Sequence, residues 1–220
     1  MVKAVLLTFK TLVLYLAISI ASLLMLSMII DYASFETDIH FLRSKQGYLQ
    51  NTTWTWAFYI HVFTAIIPLV AGLTQFSPYL LRTNKRLHRT AGKIYILAIL
   101  LINFPTGLIL AINANGYLPT KLAFLLLDCL WFFFTLRAWL EIKKGNITAH
   151  KNFMLRSYAL TFSAITLRTW KIILPVFITI DPLTLYQLDA WLGFVPNLFI
   201  AEWLISRSHR SKEKKYISSK

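Results

Sequence analysis

Four polar side chains interrupt apolar stretches of the 220-residue sequence and are of types that can carry out chemistry there. They are His61, Asn103, Asp128 and Arg168. A histidine changes its charge near neutral pH, which suits proton exchange or ligation, and a guanidinium suits an anionic or carbonyl-bearing ligand. We expect the four to line one polar ligand pocket, in which Asp128 is the carboxylate nearest in depth to Arg168. The alternative is that Arg168 and its neighbour Lys171 extend to the interface.

Two further histidines are candidate ligands of a haem. His88 and His150 begin the strings HRTAGKIY and HKNFMLRSYALT, each just before an apolar stretch. Haem iron takes axial imidazoles, and a helical bundle can supply two of them from facing helices. The pair therefore predicts one haem b and no other metal, with an arginine at its propionates: Arg82, Arg89 or Arg156. The alternative is that both histidines are interfacial residues of basic loops.

The elements that must carry these residues follow from the composition. Apolar residues make up 57% of the chain and charged residues 15%, against about 45–50% and about 25% in soluble domains. A membrane-spanning helix needs about 20 mostly apolar residues, and six stretches qualify. We predict an all-α, polytopic integral membrane helical bundle, with one transmembrane domain over residues 1–206 and a basic tail over 207–220. The predicted spans are 11–30, 56–79, 94–113, 120–136, 153–180 and 190–206.

The basic residues predict the orientation. Most of the 23 lysines and arginines lie near the termini and in the connections after the second and the fourth span. The other connections hold Asp31, Glu36, Asp38, Asp181 and Asp189. Because cytoplasmic loops carry the excess of Lys and Arg, both termini are predicted to be cytoplasmic. We expect a multi-pass protein of the cell inner (plasma) membrane, with anionic lipid headgroups against its basic face.

A charge pair is expected near the cytoplasmic boundary. Arg156 and Glu202 each lie about 5 Å inside a predicted span, as estimated from the helix rise. They are therefore predicted to form a structural ion pair between the last two spans. Gln75, at the end of the second span, reaches the same level as His88 and His150.

Several classes of function are excluded by what the sequence lacks. Cys129 is the single cysteine, which excludes a disulfide framework within the chain and a multi-cysteine metal site. No P-loop, HExxH or GxSxG string occurs, so nucleotide-binding, metalloprotease and hydrolase functions are not supported. A nucleic-acid partner is not expected, because such a protein spreads its Lys and Arg over a folded polar surface.

Short strings over residues 55–204 resemble a bacterial family of multi-pass membrane proteins, catalogued as domain of unknown function 2306. The matching residues of the first half are His61, Gly72, Gln75, Phe76, Arg82, His88–Tyr95 and Gly107. Those of the second half are His150, Met154, Arg156, Ser157, Ala159–Thr161, Thr166–Arg168, Trp191, Pro196, Asn197 and Glu202. Asn152 and Phe153 depart from it where a tryptophan is expected before the methionine, and Asp128 is not part of it. The resemblance implies a membrane-integral fold and no particular activity.

Three functions remain open. The first is a haem-binding membrane redox protein, distantly similar to two-haem cytochrome b bundles. A second haem lacks a ligand pair, because His61 is the one other histidine within a span and His40 lies in a loop. The second is a small transporter or a lipid- or ligand-handling protein that uses the polar pocket. The third is a non-catalytic accessory subunit. The last two readings allow a homo-oligomer or a membrane partner protein.

Overall fold

The structure, a computed structural model, describes residues 16, 19, 20 and 22–218, and for Pro78 and residues 211–218 it describes the backbone alone. Every regular element in this described part is a helix. Five of these helices are long and apolar enough to cross a membrane: α1 (Thr52–Gln75), α2 (Lys85–Ile112), α3 (Leu118–Lys143), α4 (Ile147–Phe177) and α5 (Pro182–Arg210). The chain is therefore an all-α, multi-pass membrane protein, as the sequence predicts. Part of the first predicted span, 11–30, lies outside the described residues, namely 11–15, 17, 18 and 21. The end of this span lies in the shorter apolar helix Ser22–Ser34.

The chain forms two compact units that divide after Thr55. In the described part of the first unit, the apolar helix Ser22–Ser34 is followed by a 3-10 helix, His40–Tyr48. His40 Nε2 lies 2.9 Å from Asp31 Oδ2. The connection after the first apolar segment therefore has regular structure of its own.

The second unit contains the remaining spans, and several of its helices are interrupted. α1 consists of Thr52–Thr64 and Ile66–Gln75, and α4 of Ile147–Thr161 and Ser163–Phe177. α5 consists of Pro182–Leu192 and of the first part of a helix, Val195–Ser218, that continues beyond Arg210. α2 consists of Lys85–Leu97, a π-helical turn over Ala98–Asn103, and Phe104–Ile112. A short helix, Pro78–Thr83, connects α1 to α2.

Side-chain caps set where the helices begin, and this makes them longer than the predicted spans. Asn84, Asn146 and Asp181 each accept a backbone N–H of the first turn, at 2.9–3.1 Å. Hydrogen bonds from Thr184 hold the pKa of Asp181 below its ordinary value. Because the caps lie so far ahead of the apolar stretches, His88 and His150 lie on α2 and α4, and not in the loops before them.

Packing places α3 at the centre of the second unit. α3 packs against the first half of α4, against the π turn and last part of α2, and against the first half of α5. Its face toward these helices carries Ala123, Trp131 and Ala138. Tyr95 of α2 and Phe194 of α5 complete this core and are at most 1% exposed. The side chains that point away from this core are large and apolar, as expected of a surface that faces lipid.

A hydrogen-bonded network of side chains ties α2, α3 and α4 together inside this core. The Tyr95 hydroxyl lies 2.7 Å from Ser157 Oγ and 2.8 Å from Thr161 Oγ1. Trp131 Nε1 donates to Thr161 Oγ1 at 3.0 Å, and Thr135 Oγ1 lies 2.7 Å from Ser157 Oγ. Thr135 and Thr161 also reach the carbonyls of Trp131 and Ser157. One arrangement of protons satisfies every donor, so the network serves to hold the helices together.

Asn197 of α5 forms hydrogen bonds at the breaks in α4 and α5. Its Nδ2 donates to the carbonyls of Ala159 and Gly193 at 3.2 and 3.1 Å and to Thr166 Oγ1 at 2.9 Å. Thr166 in turn donates to the Gly193 carbonyl. A Cβ at Gly193 would lie 3.0 Å from Leu167 Cβ, so the glycine permits the close approach of α4 and α5 that these bonds need.

We expect Tyr95→Phe to lower the free energy of unfolding by about 0.6–1.7 kcal/mol, the range of interhelical hydrogen bonds in membranes. Thermal and denaturant unfolding of the detergent-purified protein measures the change. Tyr79→Phe is the matched control, because Tyr79 is 74% exposed. Equal effects of the two substitutions would show that the network contributes nothing specific.

Candidate functional site

His61 and Asn103 come together between α1 and α2, in the group that the sequence predicts as a ligand pocket. His61 Nδ1 lies 3.3 Å from the Asn103 carbonyl and 3.2 Å from Thr106 Oγ1. A carbonyl only accepts, and the Thr106 hydroxyl already donates to Ile102 O at 2.7 Å. Nδ1 therefore carries the proton, and Nε2 has no hydrogen-bond partner among the described residues.

The π turn of α2 shapes this site. Asn103 is fully buried, and its Nδ2 donates to the Ala98 carbonyl, the first residue of the turn, at 2.9 Å. Its Oδ1 accepts from Thr64 of α1 at 3.3 Å. A π turn widens the helix by one residue and is frequent at functional sites. In this turn the side-chain amide nitrogen, the side-chain oxygen and the backbone carbonyl of Asn103 each have a hydrogen-bond partner.

Arg168 lies on the second half of α4 and is half-buried. Its guanidinium donates to the Ala164 carbonyl one turn earlier, and its positive charge acts on the His61 imidazole. His61, Asn103 and Arg168 thus belong to one polar region contributed by three helices. Such a region can hold an anionic or carbonyl-bearing group next to a buried imidazole.

The sequence predicts that Asp128 lies next to Arg168, but the structure does not bring the two side chains together. Asp128 is 5% exposed on α3, and its Oδ2 has no hydrogen-bond partner in the described part of the chain. Its carboxyl group lies against α2 at Gly107, where a Cβ would meet Oδ1 at 2.7 Å. Depth, which residue counting estimates, is not enough to pair two side chains, because the direction in which each leaves its helix depends on packing.

His88 and His150 lie within electrostatic reach of each other, because the charge of His150 acts on His88. His150 Nδ1 donates to the Ala138 carbonyl of α3 at 2.8 Å. His88 Nδ1 is buried without a hydrogen-bond partner in the described residues. Gln75 holds this end of α2, since its Nε2 donates to the His88 carbonyl at 3.1 Å and its Oε1 lies over Gly92. The site thus offers imidazole nitrogens that the protein itself does not use.

Arg156 and Glu202 form a two-point ion pair between α4 and α5. Arg156 Nη2 donates to Glu202 Oε2 at 2.8 Å, and Nε donates to Oε1. The guanidinium also lies over the rings of Phe134 and Phe153, at 5.9 and 5.4 Å. Because Arg156 is engaged here, it is less suited than Arg82 or Arg89 to meet a haem propionate.

Asp189 is a buried acid that the apolar runs of the sequence do not reveal. The predicted last span of 190–206 leaves Asp189 in the loop before it, whereas α5 begins at Pro182 and buries Asp189 to 1% exposure. Asp189 Oδ1 has no hydrogen-bond partner among the described residues, and the charge of Lys171 acts on its carboxylate. The signal was Asp181 followed by Pro182, a cap and first residue that start a helix. The polar residues after them hid it from a search for apolar runs.

Comparison with known proteins identifies one family. The family described as "Predicted membrane protein (DUF2306)" matches residues 58–205, about two thirds of the chain. No curated protein and no solved structure matches significantly. The matched region contains His61, His88 and His150 and the hydrogen-bonded network of the core. Three members of that network, Tyr95, Ser157 and Thr161, lie in the strings that resemble the family.

Charge reversal tests the ion pair. Arg156→Glu and Glu202→Arg should each lower the thermal stability of the purified protein, and the double exchange should restore part of it, with a coupling of about 1 kcal/mol because the pair is partly exposed. The control is the same exchange at Arg43 and Asp38, which are 68% and 86% exposed and should show almost no coupling. A double variant no better than the singles would contradict a direct contact.

Proposed function

The chain belongs to the DUF2306 family of predicted membrane proteins, and from that premise we propose that it binds one haem b between His88 and His150 and acts as a membrane redox protein. The single observation that carries the proposal is the state of His150. Its Nδ1–H donates to the Ala138 carbonyl at 2.8 Å, which leaves the Nε2 lone pair available. Histidines that bind metals almost always donate their other ring nitrogen in this way.

His88 supports the proposal from the facing helix. Its buried Nδ1 is a polar atom without a described partner, and such atoms are rare in folded proteins unless a ligand or water completes them. The imidazole charge of His150 acts on it, so the two rings lie within electrostatic reach of each other. Haem would supply one-electron chemistry there, and His88 and His150 would hold it.

Arginine is the residue type that meets haem propionates, and Arg89 is the best placed. It is exposed one residue after His88, and its charge acts on the His88 ring. Arg156, by contrast, is committed to Glu202. Arg89 is therefore the residue that would hold a propionate.

Visible absorption of the detergent-purified protein, expressed with adequate haem, tests the proposal. We expect a Soret band and a reduced-minus-oxidised alpha band in the unaltered protein. His88→Ala and His150→Ala should each lose these bands, because each removes one axial ligand. His61→Ala and His209→Ala are matched controls that should keep them. Size-exclusion profiles and melting curves establish that every variant is folded.

A colourless preparation, or bands that survive both His88→Ala and His150→Ala, would overturn the haem proposal. The alternative centre is then the region of His61, Asn103 and Arg168, whose chemistry suits transport or binding of an anionic or carbonyl-bearing ligand. The observation that favours this second function is the action of the Arg168 charge on His61, whose Nε2 has no described partner.

We also propose that the protein lies in the cell inner membrane with both termini in the cytoplasm. Basic residues around Arg86 and Lys144 support this orientation through the excess of positive charge in cytoplasmic loops. Anionic lipid headgroups are the partners proposed for this basic face, and a homo-oligomer or a membrane partner protein is a further proposal.

Reporter fusions test the orientation. Fusions at Arg86 and Ile147 should report the cytoplasm, and a fusion at Gly116, in the connection between α2 and α3, should report the opposite side. Gly116 serves as the internal control, because its readout must differ from the other two whichever way the protein is inserted. A signal from the outer side at Arg86 or Ile147 would reverse the proposed orientation.

A further inference from the structure

The Asp128 carboxyl group occupies the space beside Gly107 that a larger side chain at position 107 would fill. Asp128 lies ten residues into α3, about 15 Å along the helix axis and so near the middle of a span. It is 5% exposed, and Oδ2 is buried without a hydrogen-bond partner among the described residues. Oδ1 lies where the side chain of any residue larger than glycine would be at position 107, 2.7 Å from an ideal Cβ.

No counter-charge reaches this carboxyl group from the helices that pack on α3. The part of α2 against it, Ala98–Ile112, contains no ionisable side chain. The first half of α5 presents two titratable groups, Tyr186 and Asp189. The ionisable groups of the first part of α2 and the first half of α4 are Lys85, Arg86, His88, Arg89, Lys93, Tyr95, His150, Lys151, Arg156 and Tyr158. None of these forms an ion pair or hydrogen bond with Asp128 within the described part of the chain.

Energetics then favour a neutral acid over an ionised one. A charged Asp at the centre of a transmembrane helix costs roughly 2.5–3.5 kcal/mol even on insertion scales, and an ion without hydrogen bonds costs more. A leucine could fill the same space without that cost if position 107 were packed accordingly. The carboxyl group of Asp128 thus fits against Gly107, and helix packing alone does not require this combination of residues.

We propose that the carboxyl group of Asp128, where it packs against Gly107, is a proton-binding site in the membrane interior. The group holds its proton in the resting protein and releases it when water or a counter-charge reaches Oδ2. The step is a simple acid dissociation, in which the carboxylic acid gives a carboxylate and one proton and no electron is transferred. It is independent of the haem proposal, because neither His88 nor His150 takes part in it.

Infrared difference spectroscopy tests this site directly. The spectrum of the unaltered protein minus that of Asp128→Asn should contain a carboxylic-acid C=O band at neutral pH. Raising the pH should convert that band into carboxylate bands while the protein stays folded. Asp38→Asn is the matched control: Asp38 is 86% exposed, so its difference spectrum should contain carboxylate bands alone at neutral pH.

A second measurement covers the case in which Asp128→Asn does not fold. Incorporation of carboxyl-¹³C aspartate shifts every aspartate band, and Asp189→Asn then separates the other buried aspartate from Asp128. Carboxylate bands alone at neutral pH would mean that Asp128 is permanently ionised. An acid band that persists at every pH at which the protein is folded would mean that the proton never leaves. Either result overturns the proposal, whether or not the preparation contains haem.

Discussion

The structure depends on one constraint, which is that a polar group surrounded by hydrocarbon must find its partner within the protein. The network of Tyr95, Trp131, Thr135, Ser157 and Thr161 meets this constraint with side chains from three helices. Each of these groups would cost free energy if it faced lipid, so together they specify which faces of α2, α3 and α4 meet. The packing of the core follows from that choice, because Ala123, Ala138 and Leu160 pack around the same contact.

The interrupted helices obey the same constraint. A break in a helix leaves backbone carbonyls without their helical N–H donors, in a region that water cannot reach. A nearby side chain must therefore donate to them. Asn197 does so for the breaks in α4 and α5, and Asn103 does so for the π turn of α2. Asn103 has a second role, because its carbonyl and the adjacent Thr106 hold His61. The residue that pairs the freed carbonyl of the π turn therefore also positions His61.

The exceptions to the constraint are few in the described part of the chain, and two of them, His88 Nδ1 and Asp128 Oδ2, lie at candidate sites. Others, Thr120 Oγ1, Arg137 Nε and Asp189 Oδ1, lie elsewhere in the same part of the chain. For the first of the two groups at candidate sites we propose a haem, and for the second a proton.

Composition and apolar run length were sufficient to predict an all-α membrane protein, because the thickness of the bilayer dictates the length of a span. Residue counting along the helices likewise predicted the level at which Arg156 meets Glu202, since the rise per residue is constant. Residue counting failed for Asp128, and apolar run length failed for Asp189. The rotation of each helix about its axis decides whether a side chain faces a cation, a glycine or lipid, and that rotation is set by contacts between helices distant in sequence. The π turn at Asn103 and the place opposite Gly107 for the Asp128 carboxyl group therefore emerge only when the helices pack.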